Sequence, residues 1–535
     1  ILAAGEPGLV AAGFETLPGG YLDAHPHLIG VRGLLRRVSG DIAGAVMDAA
    51  SAEDLAGACE RQSVTPDDDA LRADAVLLRL WESRYGWHDV HTAIGRARSL
   101  LTLVPPDGDG RRDAVLAPER LAWLLIELAA AETWADELDD ALCHLDEALV
   151  TARMVGHARL VAGGLAHRAV VQYARGQLQN AAQSAQAALD VVGEQGLPQE
   201  YAVRAHAVMG FAAMSQLDLD SAWHWHQLVV ATDVADSDTV VTALRAILRS
   251  ELLIEAGRLD EALTALTSDP AAAGPLPSFL SRDLALLRIR LAVLLGDQAG
   301  VEAQLRELDR TGNPTEAELL RAMLSIGEGD PEATVARIDQ VLDRADPYPP
   351  IASAAAAFRT VLLIRMGDVP GADVSLVDTL NRVAPQRVLQ SFVPAGGEPE
   401  FLDQLRRHVA GPNPHPFAAL ALEKLSGYLA GSDETAGMTL LARTRIATHA
   451  PPPRRLDAVV NGARIRLTAR EADVLDQLAL GSSYAEIAQA LYITENTVKT
   501  HLMSLYRKLG VEKRSAALRV ARGVGLTQVG GPPSG

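Results

Sequence analysis

The sequence is poor in cysteine and in aromatic residues. The first shortage bears on the compartment of the protein, and the second bears on its fold class. It has 2 cysteines in 535 residues, and neither Cys59 nor Cys143 has close cysteine or histidine partners in a zinc-binding pattern. We interpret both as buried thiols of a protein in a reducing compartment, the cytoplasm. Aromatic residues make up only 4 %, and the abundance of Ala, Leu and Val favours helices packed through small side chains over a β-sandwich.

Lysine is absent from residues 1–423, which excludes one class of site from that region. A phosphate-binding loop of the form Gly-x-x-x-x-Gly-Lys-Ser/Thr requires a lysine, so this stretch holds no such ATPase motif. The pattern of a parallel α/β receiver domain is also missing. No apolar run reaches the roughly 18 residues that span a bilayer. We expect no enzymatic activity, no cofactor and no membrane partner.

Histidine is present, but its spacing does not match a metal site. His88 and His91 lie three positions apart, His25 and His27 flank a proline, and the run 223–226 alternates Trp and His. None of these groups has acidic or cysteine partners at ligand spacing, so we expect no metal. We interpret the tryptophans of that run as packing inside the protein.

Negative charge dominates the chain as a whole, with a net charge of −19, but the excess is confined to one part. Residues 454–535 hold 12 Lys and Arg against 7 Asp and Glu, a net charge of +5, whereas residues 1–453 hold 37 against 61, a net charge of −24. A small basic module on a large acidic body is expected of a DNA-binding tail on a sensor or scaffold. The acidic body by itself is explained by a solvated surface.

A short pattern recurs along most of the chain: a turn often marked by glycine, an apolar residue two positions later and a small residue five positions later. Its copies turn at Gly40, Gly86, Asp136, Gly176, Leu217, Gly257, Gly296, Gly329 and Gly367. From Asp136 onward the spacing is 33 to 41 residues, which fits two helices and two short loops. Each unit can bury its apolar face only against its neighbours, so the pattern predicts a helical solenoid. A multi-helix domain without a regular superhelix is the alternative.

The domain boundaries follow from where this pattern ends. The predicted segments are N-terminal helical hairpins at 1–115, as part of the array, the repeat array at 116–392, its terminal helices at 393–430, a linker at 431–455, a DNA-binding module at 456–526 and a disordered tail at 527–535. The linker ends in three consecutive prolines, which form a semi-rigid spacer. At the start of the module, residues 456–467 predict a short β-ribbon that turns at Asn461-Gly462.

Three helix starts follow one another in the module. Capping boxes begin at Thr468 and Ser483, and Thr494 is placed to cap a third helix. The third helix, predicted at 495–509, carries an apolar stripe formed by Val498, Leu502, Leu505 and Leu509. The opposite face carries Asn496, Lys499, Thr500, Met503 and Arg507. An exposed face of amides, hydroxyls and cations, after a short helix and a tight turn, fits the major groove of DNA.

These residues resemble the LuxR/GerE-type DNA-binding module. The resemblance rests on Leu467-Thr468-x-Arg470-Glu471, Glu486-Ile487-Ala488, the run 496–501, the run 506–511 and Arg514. Beside a helical array, it is closest to the large MalT-like branch of these regulators. It implies an all-α protein: an α-solenoid of tetratricopeptide-like helical hairpins followed by a small four-helix LuxR-type helix-turn-helix domain. Many MalT-like regulators carry an upstream ATPase; either this one lacks it or Ile1 lies beyond it.

The resemblance also implies roles for individual positions. Residues at positions that face bases are Lys499, Thr500 and Met503, and residues expected at the DNA backbone are Ser482, Ser483, Tyr484, Asn496, Thr497, Arg507 and Lys508. The pair Tyr484-Ala485 departs from the Asn-Lys that the family often has there, so one phosphate-side cation is missing. On the fourth helix, Leu518 and Ala521 either form a dimer contact or pack on the first helix.

The sequence therefore predicts a DNA-binding transcription regulator whose helical array senses a small-molecule or protein effector. We expect double-stranded DNA and RNA polymerase as partners, and a homodimer on DNA. The alternative is an interaction scaffold whose DNA-binding module is weak or vestigial. Substituting Lys499 and Thr500 separates the two, because only a regulator would lose promoter control.

Overall fold

The computed structural model describes residues 7–18, 20–25, 27–59, 66–86, 88–103, 116–232, 239–267, 276–325, 330–344, 347–396, 398–431, 457–460, 463–467, 469–479, 482–485, 487, 495–511 and 513–523. The chain divides into two compact units, Ile1–Arg445, here called the array unit, and Ile446–Gly535, the C-terminal unit. Within the described ranges, no helix combines the length and the apolar character that a membrane span requires.

The described part of the array unit is built from helices. They are α1 (Pro7–Glu15), α2 (Tyr21–Ala24), α3 (Leu28–Val38), α4 (Ile42–Cys59), α5 (Pro66–Ser83), α6 (Val90–Leu103), α7 (Pro118–Trp134), α8 (Leu138–Met154), α9 (Ala158–Ala174), α10 (Leu178–Gln195), α11 (Val203–Ser215), α12 (Leu219–Ala231), α13 (Thr239–Glu255), α14 (Leu259–Thr267), α15 (Ser278–Leu295), α16 (Gln298–Arg310), α17 (Pro314–Leu324), α18 (Pro331–Arg344), α19 (Pro349–Arg365), α20 (Val369–Val383), α21 (Val393–Gly396), α22 (Pro399–Val409) and α23 (Ala418–Gly431). In the same described part, 3₁₀ turns cover Gln199–Tyr201 and Leu389–Phe392.

From α7 to α20 the helices pack in consecutive pairs, as the recurring pattern predicts. The turn residues Asp136, Gly176, Leu217, Gly257, Gly296 and Gly367 have φ between 61° and 81°. This is the left-handed conformation that ends a helix and lets the chain reverse. The residues five positions later are all buried: Ala141, Ala181, Ala222, Ala262, Val301 and Ala372. The prediction of helical hairpins is confirmed at these turns, and Gly329 lies outside the described residues.

An aspartate directly after the turn caps the second helix in several hairpins, a feature that the sequence pattern did not include. Asp218 accepts a hydrogen bond from the Ser221 N–H at 3.1 Å. Asp368 accepts one from the Gly371 N–H at 3.0 Å. The carboxylate satisfies one of the backbone donors that a helix start leaves without a partner. At these turns the chain therefore both ends one helix and caps the start of the next.

The array curves back on itself, so that distant repeats meet. The α9–α10 turn lies against the start of α19: a Cβ atom added at Gly176 would be 2.9 Å from Pro350 Cδ. The Gln179 N–H, at the start of α10, donates to Gln386 Oε1 at 3.0 Å. The Tyr173 hydroxyl on α9 donates to Asp283 Oδ2 on α15 at 2.8 Å. The repeats therefore close a loop of contacts in addition to the contacts between neighbours.

A buried carboxylate ties the N-terminal helices to the first repeat. Glu127 of α7 accepts a hydrogen bond from Arg37 Nη2 of α3 at 2.7 Å and another from Arg84, just after α5. The Trp123 indole N–H also donates to it, at 3.3 Å. Burial alone would raise the pKa of Glu127, but the two guanidinium groups outweigh it and lower the pKa to about 2.

The interpretation of the cysteines is wrong for one of the two. Cys143 is exposed on α8, because its position on the helix falls on the outer face, between the buried Ala141 and Leu145. The side chain of Cys59 lies outside the described residues.

The C-terminal unit contains a two-stranded ribbon and three helices in its described part. They are β1 (Asp457–Val460), β2 (Ala463–Arg466), α24 (Ala469–Ala479), α25 (Glu495–Leu509) and α26 (Arg514–Gly523). The strands pair antiparallel, with Asp457 opposite Arg466 and Val460 opposite Ala463. The turn predicted at 461–462 lies between them, outside the described residues. The ribbon predicted from the sequence is present.

Candidate DNA-binding surface

The third helix of the predicted module, α25, is held in place by its apolar stripe. Val498, Leu502, Leu505 and Leu509 are at most 3 % exposed. They pack in one core whose other buried members are Leu467, Val474, Leu475, Leu478, Ile487, Ala517 and Ala521. The predicted stripe is therefore confirmed. Because one face of α25 is fully used in this core, the orientation of its opposite face is fixed.

That opposite face is exposed where the structure describes it. Lys499 and Arg507 are exposed, and Met503 is 74 % exposed. We call these three residues the exposed strip. Spaced by four, they follow one side of the helix and combine two cations with one apolar side chain. Asn496, Thr497 and Thr500 lie in the same helix, but their side chains are outside the described residues.

Lys508 has a partner inside the protein. Its ammonium group lies 2.5 Å from Glu471 Oε2, and its side chain is only 28 % exposed. Glu471, at the start of α24, is 4 % exposed. The ion pair joins the first helix of the unit to the end of α25. The resemblance implies a phosphate contact for Lys508, and Glu471 is the acidic member of the capping box that begins at Thr468. Neither pattern predicts that the two side chains pair.

The second helix is described only at its start. The Ile487 N–H donates to Ser483 O at 2.9 Å, and the Ser482 N–H donates to Gln477 O at 3.1 Å. The Ser482 hydroxyl also donates to Gln477 Oε1, at 3.2 Å. Ser482 is half-buried, whereas Ser483 and Tyr484 are exposed. The turn predicted before α25 lies outside the described residues.

Two hydrogen bonds stabilise the C-terminal unit near the end of α25. Arg514, at the start of α26, donates from Nη2 to the carbonyl oxygen of Leu478 at 3.0 Å, which satisfies an acceptor near the end of α24. The Val511 N–H donates to Tyr506 O at 3.0 Å, around Gly510 with φ 66°. Arg514 was part of the recognised motif, but its capping role was not predicted. Burial raises the pKa of the Tyr506 hydroxyl, and the neighbouring Tyr484 adds to this effect.

The two residues proposed for a dimer contact differ in exposure. Ala521 is fully buried in the core of the unit. Its side chain therefore packs internally, the second of the two interpretations given above, and does not form part of a dimer patch. Leu518 is half-buried against the same core, so a prediction of dimer contact through α26 now rests on Leu518.

His88 and His91, whose spacing does not match a metal site, are exposed, and each lies beside a carboxylate. His88 Nε2 is 3.3 Å from Glu82 Oε2, and His91 Nδ1 is 3.5 Å from Glu137 Oε1. In the run 223–226, His226 is buried and His224 is exposed, so the two histidines occupy different helix faces. Among the residues described, no three His, Cys, Asp or Glu side chains group as metal ligands.

Known proteins match this chain at its C-terminal unit. Residues 466–521 match the family of bacterial regulatory proteins called the luxR family, or GerE. The CsgBAC operon transcriptional regulatory protein of Escherichia coli (strain K12) is 50 % identical over 52 residues, which are 10 % of this chain and 24 % of the relative. The Probable transcriptional regulatory protein NarL of Mycobacterium tuberculosis (strain ATCC 25618 / H37Rv) is 51 % identical over 55 residues, 10 % of this chain and 26 % of the relative. The chain thus spans about a quarter of the length of these curated relatives.

A basic, exposed helix face backed by a buried stripe, after the start of a preceding helix, fits the C-terminal unit to the class of helix-turn-helix domains. Within that class it is a LuxR-type (GerE) domain, as the match over residues 466–521 shows. The helical hairpins that precede it fit the architecture of MalT-like regulators. The LuxR-type resemblance inferred from the sequence of the C-terminal module is confirmed.

Proposed function

We propose that this protein is a transcription regulator that binds double-stranded DNA with α25 in the major groove. The observation that carries the proposal is the exposed strip, in which Lys499, Met503 and Arg507 face outward while the other side of the helix is buried. Lys499, Thr500 and Met503 would contact bases, and Asn496, Thr497 and Arg507 would contact phosphates. Ser482, Ser483 and Tyr484 would approach the backbone from the start of the second helix.

A substitution at Lys499 tests this directly. We expect Lys499→Ala to weaken the binding of full-length protein to a fluorescent promoter duplex by at least tenfold, because it removes a base-edge donor and a positive charge. The matched control is Lys424→Ala, which removes the same charge from an exposed position on α23. The measurement is fluorescence anisotropy, with duplexes selected from genomic fragments by the wild-type protein.

Two outcomes would count against the proposal. Wild-type protein that selects no duplex even at low salt would exclude sequence-specific binding. Equal losses for Lys499→Ala and Lys424→Ala would mean that net charge, and not the exposed strip, governs binding. Either result would favour the interaction scaffold with a vestigial module.

The proposal extends to the array unit, which would sense an effector and control the DNA-binding unit. Solenoids bind partners on concave surfaces built from successive repeats, and this array encloses such a space. RNA polymerase and a second copy of the chain, paired on DNA, are the further partners that we propose from the LuxR-type domain. Reporter assays with the isolated C-terminal unit and with the full-length protein would show whether the array unit changes promoter output.

A further inference from the structure

A cavity of about 290 Å³ lies inside the array unit, where the array closes on itself. Its walls come mainly from the alternate helices α9, α11, α13, α15, α17 and α19 and from residues 388–394, with Leu178 of α10 and Leu259 of α14 adding to them. Most of the wall is apolar, with side chains that include Phe211, Met214, Ile247, Leu287 and Phe358. An apolar cavity with a few converging polar groups is the usual form of a small-molecule site.

The cavity wall also carries a few charged side chains. Glu251 on α13 and Arg290 on α15 both line it. Arg290 donates from Nη1 to Glu251 Oε2 at 2.6 Å and from Nη2 to Glu255 Oε1 at 2.5 Å. The Tyr428 hydroxyl donates to the other oxygen of Glu255. One guanidinium group therefore serves two carboxylates, and only Glu251 keeps an oxygen, Oε1, without a hydrogen-bond partner among the described residues.

The other acidic group in the wall is already satisfied. Asp283 accepts hydrogen bonds from the Tyr173 hydroxyl at 2.8 Å and from Arg282 Nε at 3.1 Å. The Arg282 guanidinium also lies 3.6 Å from the centroid of the Tyr348 ring. This group of side chains joins α9, α15 and the start of α19, so its role is structural. Glu251 is thus the carboxylate available to an occupant.

The charges around the cavity do not balance. Among the side chains just described, Glu251, Glu255 and Asp283 supply three carboxylates, and Arg282 and Arg290 supply two guanidinium groups. The carboxylates of Asp136 and Glu316, which lie near Arg282, add to the negative excess. Burial raises the pKa of Glu251, Arg290 opposes the increase, and the nearby carboxylates of Glu255 and Asp283 add to it. A cation next to Glu251 would reduce this negative excess and give its remaining oxygen a donor.

We infer that this cavity binds a small molecule with an apolar body and a protonated amine, the amine donating to Glu251. An engineered apolar cavity of about 150 Å³ holds benzene, so the volume here suits a body of roughly 12 non-hydrogen atoms. The inference rests on the proposed sensing function of the array. An occupant of the cavity would contact helices from successive repeats at once and could therefore change how these repeats pack. Neutral and anionic occupants of the same size are the outcomes that the test must separate.

The test uses three probes of one shape on the full chain: 4-phenylbutylamine, 4-phenylbutan-1-ol and 4-phenylbutanoate. Isothermal titration calorimetry at neutral pH should show the amine binding at least tenfold more tightly than the alcohol, and the carboxylate binding more weakly than both. Glu251→Gln should remove the preference, so that amine and alcohol bind alike. Glu302→Gln, an exposed position on α16, is the matched control and should keep it.

A second variant tests the place of binding independently of charge. Leu286 lines the cavity and is half-buried, so Leu286→Trp should fill the space and weaken both amine and alcohol at least tenfold. Circular dichroism would check that each variant keeps the helical signal. Equal affinities for amine and alcohol in the wild type, an unchanged preference in Glu251→Gln, or intact binding in Leu286→Trp would overturn the inference.

The proposed function is measured separately, by promoter-duplex anisotropy with and without 4-phenylbutylamine. Amine-selective binding that depends on Glu251 supports the inference whether or not 4-phenylbutylamine changes the affinity for the duplex. If the amine binds but the duplex affinity stays constant, the sensing function fails while the ligand class stands.

Discussion

Lys508 shows how one residue can have two competing uses. The resemblance places it on a phosphate, whereas its ammonium group is 2.5 Å from the buried carboxylate of Glu471. An ion pair with one buried member contributes more than an exposed pair, because removing the cation leaves the buried charge poorly compensated. At this position the cost of breaking the internal pair opposes transfer of the lysine to DNA.

We expect Lys508→Met to lower the free energy of opening of α25 by about 2 kcal/mol, because Glu471 loses its ion-pair partner. The six tryptophans all precede residue 226, so fluorescence does not report on the C-terminal unit. Hydrogen–deuterium exchange of peptides from α25 is the suitable measurement. Lys513→Met, at an exposed position, is the control. Equal protection in the two variants would show that the pair does not stabilise the unit.

Glu127 is a single residue that makes the stability of the array unit depend on pH. Its pKa is lowered from 4.5 to about 2 in the folded chain, so the unfolded chain binds the proton more readily. The stabilisation is fully present above pH 4.5 and is lost as the pH falls towards 2, in total about 3 kcal/mol. Urea denaturation of Glu127→Gln should therefore show a smaller loss of stability between pH 5 and 3 than the wild type, followed by the tryptophan fluorescence of the array unit, which holds all six tryptophans. A parallel decline in both proteins would contradict this.

At the scale of helices, the aspartate that follows the turns at Leu217, Gly296 and Gly367 helps to fix the start of the second helix of the hairpin. Asp368→Ala should cost about 1 kcal/mol at the start of α20, because the Gly371 N–H loses its acceptor. Asp368→Asn keeps an acceptor in the same place and should lose much less. Hydrogen–deuterium exchange of peptides covering 369–375 measures this. Similar exchange in both variants would mean that the carboxylate does not act as a cap.

The helices that could be predicted from the sequence are those whose signals are local. The turn residues and the buried small residue five positions later lie within one hairpin, and the stripe from Val498 to Leu509 lies on one helix. Even the two turns without glycine, at Asp136 and Leu217, have the expected positive φ. The spacing of the repeats alone was enough to locate these two turns, because the same local geometry recurs in each repeat.

Pairs formed across many residues could not be predicted in this way. Glu127 meets Arg37 and Arg84, and Tyr173 meets Asp283 110 residues later, with no sequence period that connects them. Glu251 and Arg290 meet only because α13 and α15 pack side by side. For the cavity, the available signal was the spacing of Glu251 and Glu255, which puts two carboxylates on one helix face.

At the scale of the whole molecule, the two units carry opposite charge: −24 over residues 1–453 and +5 over residues 454–535. The acidic body lowers the attraction of the full chain for a polyanion. We therefore expect the fragment 446–535 to bind a duplex more tightly than the full chain at low salt, with the difference shrinking as the Debye length falls below about 10 Å. Anisotropy titrations at several salt concentrations test this. Equal affinities at low salt would exclude such an effect.

The contacts between α9–α10 and residues 348–394 have a consequence for synthesis on the ribosome. Each hairpin can form as soon as it emerges, since its partners are close in sequence. The contact of Gln179 with Gln386 spans 207 residues, about ten seconds or more of translation at ordinary rates. During that interval the apolar walls around Phe211 and Ile247 are uncovered, so the nascent chain would be a substrate for chaperones until residues 386–394 arrive.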